Sequence, residues 1–305
     1  MNSSSLQRAF LSLAVTAGVF NGALAADMSL PARAPAAPPP VIDTITFSLS
    51  PYFWATSLSG STTVKGRTVD VDAGFFQILD HTQFPKGLFQ LAALGEARYG
   101  RFGLITDFTY LKLGLGASLE RSRQFDEAGF AVGASAGLTV QMIIAELAAA
   151  YEIANWSGLT SAKSSTALDL YGGGRFWWQH ADAQFAASGT ANVSDLTLSR
   201  AGVLSATGDV TWVDPLVGAR LRHQFAPGWN LAVSGDAGGF GVGSKFSWQA
   251  LAVLEHEYAQ SKTITWNWMI GYKALFVDYS KGSGLSHYEY DNTMYGPILG
   301  ITARF

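Results

Sequence analysis

Residues 88–113 read Leu88-Phe-Gln-Leu-Ala-Ala-Leu-Gly-Glu-Ala-Arg-Tyr99, then Gly100-Arg101, then Phe102-Gly-Leu-Ile-Thr-Asp-Phe-Thr-Tyr-Leu-Lys-Leu113. Phe89, Leu91, Ala93, Ala97 and Tyr99 share one parity; Gln90, Glu96 and Arg98 share the other. Beyond the two-residue turn, Phe102, Leu104, Phe108 and Tyr110 oppose Asp107 and Thr109. Strand side chains alternate between faces, so each segment has one apolar and one polar flank. Joined by so short a turn, the two form an antiparallel hairpin.

Working outward, the same period of two returns along the chain. Ile45, Phe47, Leu49, Pro51 and Phe53 oppose Thr46, Ser48 and Ser50. Ile143, Leu147 and Tyr151 oppose Glu146 and Glu152, and Leu168, Leu170 and Phe176 oppose Asp169 and Arg175. Val213, Val217 and Leu221 oppose Asp214, Arg220 and Arg222; Leu231 and Val233 oppose Asp236. Trp248, Ala252 and Leu254 oppose Gln249 and Glu255, and Trp266, Trp268, Ile270 and Tyr272 oppose Lys273. Tyr295 to Phe305 closes the series. The segments number about ten, each near the roughly ten residues that a tilted transmembrane strand needs.

The links sort by length. Short ones at 100–101, 154–163, 226–228 and 259–262 fall on one side. Longer ones at 57–86, 114–137 and 181–208, with 241–244 and 280–289, fall on the other. Short periplasmic turns opposite longer outer loops are the asymmetry of outer-membrane barrels. The predicted fold is therefore all-β, a closed antiparallel transmembrane barrel over residues 44–305. Eight to twelve strands stay open, because 181–208 could add a hairpin.

A soluble barrel would share the alternation but not the charge. Its polar face would be the whole exterior, rich in Lys and Glu. Here charged residues make up only 14% of the chain, and they are scattered with opposite signs among Gly, Ser and Thr, as suits a lumen whose charges must pair. The predicted lumen network is Glu96, Arg98, Asp107, Glu146, Asp169, Arg175, Asp214, Arg220, Arg222, Asp236, Glu255 and Lys273. Two strands share Asp-x-x-x-Gly-x-Arg, at Asp169…Gly173…Arg175 and Asp214…Gly218…Arg220. Even offsets put all six positions on the lumen face. This predicts a ladder of carboxylate–guanidinium pairs, with glycine leaving room for the arginine fork. Aromatics beside the short turns, Tyr99, Phe102, Tyr151, Trp156, Phe225, Trp229 and Tyr258, form a candidate interfacial girdle.

The N-terminal region reads as an address. Arg8 precedes an apolar stretch from Ala9 to Phe20, and Ala23-Leu-Ala25 supplies a small-x-small cleavage site, so residues 1–25 are expected to be a secretory signal. Residues 26–43, with Pro31-Ala-Arg-Ala-Pro-Ala-Ala-Pro-Pro-Pro40, make an extended proline-rich tail. The chain has Cys 0, which excludes disulfides, a catalytic thiol and a lipid anchor on cysteine. A net charge of -3 argues against nucleic acid as a partner.

Several stretches carry a resemblance. Ala26-Asp-Met with its Pro/Ala tail looks like the mature start of small outer-membrane proteins of alphaproteobacteria. Thr68 to Phe84, Trp212 to Arg222, and Gly235 to Gly243 are similar to an uncharacterised outer-membrane barrel family, small porin-like or OmpA-OmpX-type. Tyr295 to Phe305 looks like the terminal strand signal read by the barrel-assembly machinery, with Tyr295 and Phe305 as its aromatic marks. The resemblance implies outer-membrane insertion and brings no activity with it.

Chemistry is sparse. His81, His180, His223, His256 and His287 do not pair at metal-ligand spacing. Gly238 to Gly243 lacks the following helix of a phosphate loop, which leaves an outer hairpin. Ser286 and His287 with Glu289 or Asp291 form a remote candidate for a rim lipid hydrolase, without an oxyanion signature. Asp70, Asp72 and Asp80 could hold divalent cations bridging lipopolysaccharide, or be solvated surface acids. No catalytic group, metal or cofactor is expected. Expected partners are outer-membrane lipids, lipopolysaccharide and the assembly machinery, with a monomer favoured. Two functions remain: a structural or surface-interaction barrel with a side-chain-filled lumen, or a narrow passive channel for small solutes.

Overall fold

The computed structural model describes residues 44–64, 67–81, 88–125, 128–158, 164–193 and 196–305. The expected signal at 1–25 and the expected tail at 26–43 lie outside these residues. Strands β1 (Thr46–Trp54), β4 (Leu88–Tyr99), β5 (Phe102–Phe125), β6 (Ala128–Ser157), β7 (Ser165–Val193), β8 (Leu196–Ala226), β9 (Trp229–Gly238), β10 (Phe246–Gln260), β11 (Thr265–Lys281) and β12 (Tyr288–Arg304) pair in order. All these pairs are antiparallel, and β1 meets β12 to close a ten-stranded barrel. Phe305 and Phe47 exchange two backbone hydrogen bonds at the closure.

The register fixes the tilt. Followed strand to strand, Ser48 leads through Glu96, Ala148, Leu216 and Ser247 to Asn292. Asn292 lies opposite Gly60, not Ser48, so the circuit returns twelve residues further along the chain. Such a stagger over ten strands corresponds to a tilt of about 40°.

The outward face is apolar where lipid would lie. Phe47, Leu49, Leu91, Leu104, Leu147, Leu170, Val217, Ile270 and Leu299 are all exposed. In water an apolar surface this continuous would be a liability, whereas hydrocarbon wets it. This is a transmembrane β-barrel of the outer-membrane type.

Two sets of expected loops fold otherwise. The links at 114–137 and 181–208 are largely strand: β5 and β6 pair up to Phe125↔Ala128, and β7 and β8 up to Val193↔Leu196. With β6 and β7 paired as well, four strands rise together past the end of the β9–β10 hairpin. The segment 181–208 thus lengthens two strands instead of adding two. Gly, Ala, Ser and Thr occupy both parities there, since no lipid demands an apolar flank, while the backbone ladder needs no side-chain pattern.

The link at 57–86 contains β2 (Ser57–Val64), β3 (Arg67–Ala73) and helix α1 (Phe75–His81). β2 continues β1 along the edge of β12, in unbroken register from Trp54↔Ile298 to Ser57↔Tyr295. At this junction Gly296 is required, because a Cβ there would meet the Ala55 carbonyl oxygen at 1.9 Å. β3 pairs with β2 above the place where β4 leaves β1. Helix α1 tucks Ile78 against Leu111 and Leu113.

Candidate functional site

The lumen side chains form layers, taken from the short-turn end upward. The lowest layer holds three acids and three arginines. Arg220 grips Glu96 with both terminal nitrogens at 2.9 Å. Asp169, fully buried, accepts from Arg98 at 3.0 Å, from Arg220 at 3.0 Å and from Arg222 at 2.8 Å. Glu152 accepts from Arg222 at 2.8 Å. Register brings these groups together, because Asp169 lies opposite Arg220 on β8 and opposite Glu152 on β6. Charge-assisted forks of this kind are strong and geometrically exacting. Beside them Glu255 binds Arg304 and accepts a bond from Thr302 at 2.8 Å.

The central layer is deeper. Arg175 donates to Glu146 and to Asp236, each at 2.8 Å. Lys273 reaches Asp107 at 2.6 Å and the Tyr52 hydroxyl at 2.9 Å, and its ammonium sits 4.8 Å from the Trp54 ring centre. Tyr171 donates to Asp236 at 3.3 Å.

One expected element of the network is corrected. Among the described residues Asp214 joins no arginine, although register sets it opposite Arg175. It accepts the Ser244 amide at 2.6 Å and the Trp212 indole N–H at 3.3 Å, and so pins the β9–β10 hairpin. Arg175 is already engaged by Glu146 and Asp236, one from each side. The glycines also serve another purpose than the one expected. A Cβ at Gly218 would meet Tyr171 Cζ at 2.5 Å, and one at Gly173 would meet the Leu147 carbonyl oxygen at 2.1 Å. They admit a tyrosine ring and a neighbouring strand, not the arginine fork.

Above the charges the lumen is filled with rings and thioethers, which the alternation did not single out. Trp54, Trp177, Tyr290, Leu275 and Met294 are fully buried. Trp177 stacks on Trp212 at 5.3 Å, and Trp212 on Tyr279 at 3.9 Å. The signal was present in parity: Trp177 and Trp212 share a face with Arg175 and Asp214. Beside the charges runs a cavity of about 630 Å³, lined by Thr46, Asn155, Gln224 and Ser261 at the short-turn end and by Glu96 and Arg220, then Asp107 and Glu146, further in.

The proposed girdle residues Tyr99, Phe102, Tyr151, Trp156, Phe225 and Tyr258 are exposed beside the short turns, and Trp229 is half-buried between Phe225 and Trp268. Ile153, Phe225 and Tyr258 keep the outward parity of their strands, and the register shifts at Glu152/Ala154, Gln224/Ala226 and Glu257/Ala259 fall at these same positions, where bulges end regular pairing. At the opposite end, Ser286 donates to the Ser283 carbonyl, while His287 lies 3.9 Å from Glu289. The serine is thus oriented by its own turn. Asp70 and Asp72 are exposed on β3. Among the described residues no group of three His, Asp or Glu side chains is placed to hold a metal.

No family model and no curated protein sequence matches this chain. Among solved structures, a FadL homologue from Pseudomonas aeruginosa is similar at 8% identity and a TM-score of 0.28, over 87% of this chain and 90% of that one. The translocator domain of autotransporter NalP from Neisseria meningitidis follows at 12% and 0.25, over 87% and 90%. The toluene transporter TbuX of Ralstonia pickettii gives 11% and 0.23, over 86% and 89%.

Proposed function

We propose that this protein is a monomeric outer-membrane barrel with a structural or surface-interaction role and a closed lumen. In this reading residues 1–25 direct export and residues 26–43 form a periplasmic tail. The barrel-assembly machinery reads the last strand, with Tyr295 and Phe305, and the short turns face the periplasm. The aromatics beside them anchor the inner interface, and lipopolysaccharide surrounds the outer rim. The four tall strands β5–β8 give the outer surface its relief.

One observation carries the closed reading: Trp54, Trp177, Tyr290, Leu275 and Met294 are buried in one another across the outer half of the lumen. Among the described residues these packed side chains leave little room there, and although the Trp54 and Trp177 indole N–H groups and the Tyr290 hydroxyl find no protein partner, a water path needs room as well as partners. Refolded protein in a planar bilayer is expected to be electrically silent. Stable unitary currents in the unmodified protein would overturn the closed reading.

The cavity of about 630 Å³ favours a second reading, a narrow passive channel whose inner vestibule it would be. That reading requires the ring-filled half to rearrange. It predicts currents in the wild type that grow when Trp177 is replaced by Ala.

A further inference from the structure

The cavity has two unlike surfaces. Leu94, Ile105 and Leu251 present a half-buried apolar wall backed by the buried Val253 and Met269, and Asp107 and Glu146 lie among its polar lining. The arginines that also line it, Arg98, Arg220, Arg222 and Arg304, are each already held by an acid. An apolar wall inside a lumen takes no part in ion pairing and offers burial to something else.

The charges beside it do not balance. In the lowest layer Glu96, Glu152 and Asp169 meet Arg98, Arg220 and Arg222 one for one. In the central layer Asp107, Glu146 and Asp236 meet only Arg175 and Lys273. The remaining groups at this level, Tyr52, Tyr171 and Gln249, bring no formal charge near neutral pH. The deficit is localised. Glu146 receives both of its Arg175 bonds on Oε2, and no described residue donates to Oε1. A buried carboxylate without a counter-charge is costly, so the layer calls for one more positive group.

We propose that the cavity binds a small lipophilic organic cation: a primary amine on an apolar ring or short chain. Its ammonium would rest on Glu146 Oε1, and its body would lie on the wall of Leu94, Ile105 and Leu251. Entry is from the short-turn end, so a barrel silent in conductance can still bind it.

Benzylamine titrated into the refolded full chain by calorimetry at neutral pH tests this, with benzyl alcohol and benzoate as uncharged and anionic analogues. Saturable one-to-one binding of benzylamine is expected, with benzyl alcohol weaker by roughly tenfold or more and benzoate absent. Glu146→Gln should weaken benzylamine by a similar factor. Leu251→Trp should abolish binding by filling the wall while leaving every charge in place. Boiling-dependent gel migration reports whether each variant is folded, and Leu251→Trp with the analogue series decides the matter if Glu146→Gln does not fold. No saturable benzylamine binding, or full affinity in Glu146→Gln, would sink the proposal. Equal binding of benzyl alcohol would sink it too, and would give Glu146 a proton instead.

Discussion

At the scale of single residues, the lumen is governed by who shares a carboxylate. Asp169 serves three guanidinium groups at full burial. Removing its charge leaves three arginines facing two acids, and breaking a buried pair costs about 3–5 kcal/mol. Asp169→Asn should lower the unfolding free energy in lipid vesicles by that order. Asp214 sits apart, on the Ser244 amide. Asp214→Asn and Arg220→Gln are therefore expected to be additive within about 0.5 kcal/mol, as for sites without shared partners. A larger coupling energy would contradict the separation seen here. Gly218→Ala drives a methyl into Tyr171 and the Gly235 carbonyl oxygen. Overpacking of this kind typically costs about 1–3 kcal/mol, which the same unfolding measurement reads.

At the scale of elements, the β7–β8 hairpin outlasts the membrane belt, and a histidine clamp sits where it emerges. His180 Nδ1 lies 2.7 Å from Asp209 and Nε2 lies 2.9 Å from Asp182. The hydrogen bond to Asp209, then that to Asp182, raises the imidazole pKa above its ordinary value. Thr207 and His180 hold the Asp182 carboxyl below its own. The histidine's contribution is complete below an imidazole's ordinary value of about 6.5 and is lost as pH rises through the raised one. The aspartate's contribution is present above the ordinary carboxylate value and fades as pH falls through the lowered one. Amide exchange around 179–182 and 207–209, corrected for intrinsic rate, should therefore be slowest at mildly acidic pH and quicken toward alkaline pH. In His180→Gln the alkaline limb should vanish; its persistence would assign the effect elsewhere.

At the scale of the whole molecule, a closed ladder of ten strands with an apolar belt predicts a barrel that resists detergent. The unboiled protein should run faster on a denaturing gel than the boiled one. Identical migration, together with solubility as a monomer without detergent, would mean that the apolar flank points inward. The tall β5–β8 wall adds nothing to closure, since the ring is sealed by β1 and β12 below it. Shortening it by deleting residues 117–134 and 186–203 should leave the gel shift intact.

Alternation alone determined that each strand has a lipid flank and a lumen flank, and the parity read at Phe102, Asp107, Glu146 and Arg220 is the one the barrel adopts. Period two is a local property of extended backbone, so no knowledge of neighbours is needed to see it. Which acid meets which base was decided only by tertiary structure. A twelve-residue stagger sets residues distant in sequence side by side, as with Glu96 and Arg220, or Asp107 and Lys273. Parity carries no information about stagger, because every even slip preserves the faces while exchanging all the partners. The filled outer lumen and the strands beyond Leu113 and Ala181 were hidden for a related reason. Where lipid no longer enforces an apolar flank, backbone pairing and ring packing are chosen by the neighbours the fold supplies.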